Sequence, residues 1–247
     1  MINLIKADLR RILQKKSFLL VIAVVFLMAA GMTVWDRMHL WNGTVYAFRQ
    51  GNMARNTGVL LIGMALFAGI YVDEFRAGSM KPVIGRGVSR TKVIAAKIID
   101  STIMTAIVYL VFLLFALIMG LVSGAGMSGQ EIKIMCLFVM SGAYMIMCCA
   151  PIAAVVLYLT DNSAFATFFM LLLTVILPFA MDLSKSLVLF HNLRIADYYI
   201  DGFAGRAVTD MMLTGGGFMT LVLGAVLYIG AAFLVSLLVF RKKELDL

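Results

Sequence analysis

Charged residues are scarce in this chain: 14% are Asp, Glu, Lys or Arg, against 63% hydrophobic residues. Soluble domains carry about 25% charged residues, so an ordinary soluble enzyme or binding module is excluded. Histidine and proline are nearly missing, with 2 and 3 residues. His39 and His191 fall in separate connections between apolar runs and cannot supply the clustered ligands of a metal site. The 3 cysteines are Cys136, Cys148 and Cys149. They lie in or beside one apolar run without C-x-x-C spacing, and read as small packing residues. No G-x-x-x-x-G-K-[ST] occurs, so nucleotide phosphates are not cradled by that route. No Ser/His or Cys/His pair lies at one membrane depth, which speaks against an intramembrane hydrolase.

What the chain has instead is apolar length. Its 247 residues have a mean hydropathy of +1.01, and a spanning helix needs roughly 20 apolar residues. Six apolar segments stand out, at about 18–35, 57–72, 93–122, 132–158, 164–181 and 218–240. The first resembles a signal peptide, basic then apolar. Further runs follow it and no clear A-x-A site ends it, so it reads as a retained span. Asp36 to Asn56 reads as a polar external connection. Asp182 to Gly217 reads as a second one, with room for a re-entrant or interface-lying helix. Pro151 and Pro178 are expected to kink spans four and five.

Of the 21 Lys and Arg residues, 14 fall on one side. They sit in the N-terminal segment (Lys6, Arg10, Arg11, Lys15, Lys16), in the connection from Arg76 to Lys97, and at Arg241–Lys243. This bias puts both termini in the cytoplasm, and the positive net charge does not argue for nucleic acid. Ile2, Ile5, Leu9 and Ile12 recur at helical spacing, predicting an amphipathic N-terminal helix. Such a helix lies in the interface, its basic residues reaching anionic lipid head groups. Together these readings give an all-α polytopic membrane protein, a single domain over residues 1–247. It has six transmembrane helices, an N-terminal amphipathic interface helix and both termini cytoplasmic.

The stretch from Asp73 to Lys97 carries more order than a passive linker needs. Gly78 is placed to end span two. Ser79 can cap a short new helix with Pro82 in its first turn. Gly85 and Gly87 close that helix, and Ser89 can cap span three. Met80, Val83 and Ile84 give the short helix an apolar face, which topology alone does not require. Inside the spans charge is almost absent. Asp100 sits about one turn into span three, with Lys97 three residues before it, and the two can pair on one helix face. Ion-coupled carriers usually need buried ionisable groups, so a secondary carrier is disfavoured.

Glu74, Gly78-Ser79, the turn Ile84-Gly85-Arg86-Gly87-Val88-Ser89-Arg90, and Lys97 resemble the loop of type-2 ATP-binding-cassette (ABC) permeases. Ser79 stands where Thr is commoner, and capping survives that change. The length, six spans, amphipathic N-terminal helix, long connection before span six and basic tail resemble that family too. The resemblance implies that the short helix couples to a separate ATPase subunit. Glu74, Gly78, Ser79, Met80, Lys81, Val83, Ile84, Arg86, Ser89 and Arg90 would form that coupling loop. The N-terminal helix and the Leu159–Ser163 turn would be secondary contacts. It implies no catalysis and no cofactor in this chain, with ATP and Mg held by the ATPase. A second permease copy, or a homologous permease, would complete the assembly in a bacterial cytoplasmic membrane. Spans two and five border the path in such exporters, which points to Met64, Phe67, Phe168, Phe169 and Met170. The cargo would be hydrophobic or amphipathic: a peptide, an antibiotic or a lipid-like compound. Two other readings stay open, a six-span scaffold without transport and an ion-coupled carrier.

Overall fold

The computed structural model describes residues 2–39, 42–76, 89–186 and 199–242. All regular structure among them is helical. Among the described residues, six helices are long and apolar enough to cross a membrane: Lys16–His39, Gly43–Arg76, Arg90–Ser123, Gly129–Thr160, Ser163–Leu183 and Phe218–Val239. They are spans one to six. Burial ranks them. Spans four and two have 72% and 61% of their apolar window buried, against 17–33% for the others. These two helices are therefore the axis, and the rest wrap around them. Span one presents Leu20, Leu27 and Met38 outward, as a helix surrounded by lipid or a partner must.

The connection expected from Asp36 to Asn56 is almost wholly helical. Span one runs on to His39, and span two starts at Gly43 behind an Asn42 cap that accepts from the Thr44 amide. The reason is pairing. Arg49 meets Asp36 at 2.5 Å, and Gln50 donates to the Ala29 carbonyl and to Thr33. Polar residues that pair across two helices need no loop to bring them to water. Span four starts on a Ser128/Glu131 capping box, and Thr44 bonds Glu131 at 2.5 Å. The connection before span six contains the helix Ile200–Leu213, which packs on span four. This is the extra helix the sequence left room for. Between it and span five, residues 187–198 lie outside the described residues.

Among the described residues, three π-helical turns interrupt the spans, Ala54–Gly58 and Ala68–Val72 in span two and Leu172–Ile176 in span five. Pro178 sits just after the last. Its ring displaces the carbonyl four residues back, at Thr174, and a widened turn absorbs the clash. Pro151 lies inside span four without ending it. Each π turn also offers a carbonyl to a side chain from another element. Tyr109 of span three donates to Ala54, Arg11 of the N-terminal helix to Gly69 at 3.4 Å, and Tyr199 to Leu173. The irregular turns are thus held from outside their own helices.

Candidate functional site

The feet of the connection between spans two and three are tied together by buried charge. Glu74 lies in the last turn of span two and Lys97 in the second turn after the Ser89 cap of span three. The Lys97 ammonium is 2.5 Å from Glu74 and 2.5 Å from Asp8 of the N-terminal helix Ile2–Leu13. Asp100 stands 3.9 Å from the same ammonium, the pairing expected at this spacing. Arg11 closes the cluster, 2.8 Å from Glu74. Lys15 pairs with Asp73 beside it. Lys97 and Asp100 are 2% and 0% exposed, so these are interior charges. Removing one partner from such a cluster costs far more than breaking a surface pair.

Backbone and apolar contacts lock the same three elements. Tyr71, in the π turn of span two, donates its hydroxyl toward the Lys97 carbonyl and Ser101 of span three. The Arg11 guanidinium reaches both the Gly69 carbonyl and Glu74. The apolar stripe of the N-terminal helix is set against protein: Ile12 is 1% exposed and Leu9 packs on the core. At least this end of the helix docks on spans two and three, where the sequence alone sets the apolar stripe in the lipid interface. Arg76 donates to Ser163 at 2.9 Å. That contact brings the short turn between spans four and five to the foot of span two. Asp161 makes the turn with φ 53°, and Asn162 caps span five through the Ala164 and Phe165 amides.

Of the expected coupling residues, Glu74 is buried in the cluster. Ser89 is the cap of span three by position, with its carbonyl accepting from the Lys92 and Val93 amides and no side-chain cap bond. Arg90 opens the span. Gly78, Ser79, Met80, Lys81, Val83, Ile84 and Arg86 lie outside the described residues. Asp8 was missed. The signal was present: Asp8 is an acid on the Ile5–Leu9–Ile12 stripe of an otherwise basic helix, and a charge on an apolar face needs a partner. Burial works against ionising Asp8, but its bond to the Lys97 ammonium outweighs burial and holds the carboxyl below its ordinary value of 3.8. A carboxyl lowered in the folded state stabilises above its unfolded value, and the gain is lost as pH falls through the folded value. The share of the N-terminal helix's protease protection that Asp8 supplies should therefore be lost only as the pH falls below the ordinary carboxylate range.

The residues expected along a path are divided. Phe67 and Met170 are 0% exposed, Met64 and Phe169 are half-buried, and Phe168 is 51% exposed. The opening between spans two and five lies farther from the N-terminal helix. It is a cavity of about 500 Å³ lined by Asn52, Arg55, Asn56, Thr57, Leu60, Met145, Thr174, Val175, Pro178, Phe179, Asp182 and Asp201. Arg55 and Asp201 join across it at 2.6 Å. Among the described residues, no group of His, Cys, Asp and Glu is arranged to hold a metal ion.

No curated protein matches this chain. A family model described as ABC-2 family transporter protein matches residues 6–177. That stretch runs from the N-terminal helix into span five and includes every member of the buried charge cluster. The chain belongs to the ABC-2 transporter family, and it is a multi-pass permease subunit of an ABC transporter.

Proposed function

We propose that this permease exports a hydrophobic or amphipathic cargo, a peptide, an antibiotic or a lipid-like molecule. Two copies, or one copy and a homologous permease, pair in a bacterial cytoplasmic membrane. Two ATPase subunits dock beneath them and hold the ATP and Mg. The end of the bundle carrying the N-terminal helix faces the cytoplasm, in keeping with the basic residues gathered there. Coupling runs through the connection between spans two and three, with Met80, Val83 and Ile84 as the apolar contact. The observation that carries this reading is the cluster of Asp8, Glu74 and Lys97. Force delivered to residues 77–88 reaches both flanking feet, and the cluster joins those feet to each other and to the N-terminal helix. Spans two and three then tilt as one body with the N-terminal helix, as packed elements with two discrete arrangements do. The Arg76–Ser163 bond supports a second point of contact at the foot of span five.

Replacing Met80, Val83 and Ile84 together with Asp tests the reading. An apolar contact surface does not tolerate three unpaired carboxylates. The variant should keep its place in the membrane, lose co-purification of the ATPase in mild detergent, and lose cargo-stimulated hydrolysis. Undiminished co-purification and hydrolysis would sink the coupling role and favour a six-span scaffold.

A further inference from the structure

The cavity between spans two and five is built from two of the three π turns. Arg55, Asn56 and Thr57 belong to Ala54–Gly58, and Thr174 and Val175 to Leu172–Ile176. Such turns are rare and concentrate where a helix has been re-aimed for a ligand or a motion. Cavities of this size, about 500 Å³, are typical of small-molecule sites.

The polar lining is of two kinds. Arg55 grips Asp201 through Nε and Nη2 at 3.2 and 2.6 Å, so the guanidinium is engaged within the protein. Thr174 spends its hydroxyl on the Met170 carbonyl at 2.8 Å. Asn52 and Asn56, one turn apart on span two, share a single amide–amide bond of 3.0 Å. Whichever way that pair is turned, one amide keeps its NH2 and the other its carbonyl directed to a third group. Asn56 is exposed and Asn52 half-buried, and Thr57 lines the same cavity. The remaining donor of one amide and acceptor of the other, one helical turn apart, match the acceptor and donor of a secondary amide. Val175, Pro178 and Phe179 of span five line the cavity with apolar surface, and Leu60 continues the span two side one turn beyond Asn56.

We infer that Asn52, Asn56 and Thr57 form a binding site for the amide group of an amide-bearing amphiphile, whose apolar part lies between Leu60 of span two and Val175, Pro178 and Phe179 of span five. The inference rests on the transport reading for its purpose, since it narrows the cargo to peptide-like molecules, but not for its geometry. It also places recognition nearer the end opposite the N-terminal helix than Met64, Phe67 and Met170.

The permease in lipid nanodiscs, titrated with N-hexylacetamide, hexyltrimethylammonium and hexanoate, tests it by calorimetry against empty discs. N-hexylacetamide should bind saturably, and the two ionic probes should show only what the empty discs show. Asn52→Leu with Asn56→Leu keeps the bulk of the lining and removes the amides. It should weaken N-hexylacetamide about tenfold or more, as loss of two neutral hydrogen bonds does. Asn56→Asp is nearly isosteric and should shift preference toward hexyltrimethylammonium, which keeps the question decidable if the double variant does not fold. Equal binding of the three probes, an unchanged affinity in the double variant, or no shift with Asn56→Asp would each overturn the inference. So would an Asn56→Cys disulfide between two copies that shuts out the amide probe, because a second copy would then occupy this face. ATPase co-purification, scored on the same preparations, tests the transport reading separately from the binding result.

Discussion

Lys97→Met should destabilise the permease by about 3–5 kcal/mol, the range for breaking a buried ion cluster by removing one partner. The ammonium is the shared counter-ion of Asp8, Glu74 and Asp100, at 2.5, 2.5 and 3.9 Å. Methionine fills much of the same volume, so the loss is electrostatic and not a cavity effect. Glu74 keeps Arg11 at 2.8 Å, while Asp8 has Arg11 only at 3.9 Å. Asp100 loses the Lys97 ammonium, the cation that stands 3.9 Å from it. The measurement is the thermal unfolding midpoint in a fixed detergent, together with protease sensitivity of the N-terminal helix. Both should fall. Adding Asp8→Asn should recover part of the loss, because it removes a stranded carboxylate. A double-mutant cycle on Lys97 and Asp8 should show coupling well above the few tenths of a kcal/mol found for independent sites. Additive effects would mean that Asp8 does not hold the N-terminal helix, which would then rest on Arg11, Lys15, Leu9 and Ile12.

How far the sequence foretold this site depended on distance along the chain. The Lys97–Asp100 pair and the Ser89 cap position were legible because both are local, three residues apart or at a helix start. The union of Lys97 with Asp8 and Glu74 joins residues 89 and 23 positions away, and no periodicity carries that information. Span ends were read short where polar residues pair between helices. Asp36, Arg49 and Gln50 look like loop residues until their partners are known. The two π turns of span two were not legible, since Ala54–Gly58 and Ala68–Val72 differ little in composition from the helix around them, while the third was foreshadowed only as a kink at Pro178. Close helix contacts were not legible from a glycine as such: at Gly120 a Cβ would meet Tyr46 and Met127 within 3 Å. Gly69 and Gly124 have open space around the Cβ position. Gly124 serves instead as the left-handed end of span three, at φ 74°.

Gly142→Val should be nearly as damaging as the loss of Lys97, by a different route. Gly142 lies mid-way along span four, the most buried helix, where it crosses the first π turn of span two. A Cβ at this position would stand 2.9 Å from the Ala54 carbonyl oxygen, 2.9 Å from the Tyr109 ring and 3.1 Å from the Arg55 Cα. Two of those three neighbours are backbone, so no side chain can swing aside to make room. Overpacking a close contact costs about 1–3 kcal/mol, and more where backbone must move. The displacement has a chemical consequence as well. The Ala54 carbonyl is the acceptor for Tyr109 at 3.1 Å, and Arg55 carries the bond to Asp201. Moving the turn breaks the first and misaligns the second, so the cavity between spans two and five loses its shape before the bundle unfolds. Gly142→Ala should therefore lower the unfolding midpoint modestly and weaken N-hexylacetamide binding, and Gly142→Val should lower the midpoint further and abolish that binding. Tyr109→Phe removes the hydroxyl without adding bulk. If it reproduces the binding loss, the π turn is held by that hydrogen bond; if it does not, the close helix contact at Gly142 is what sets the shape of the turn.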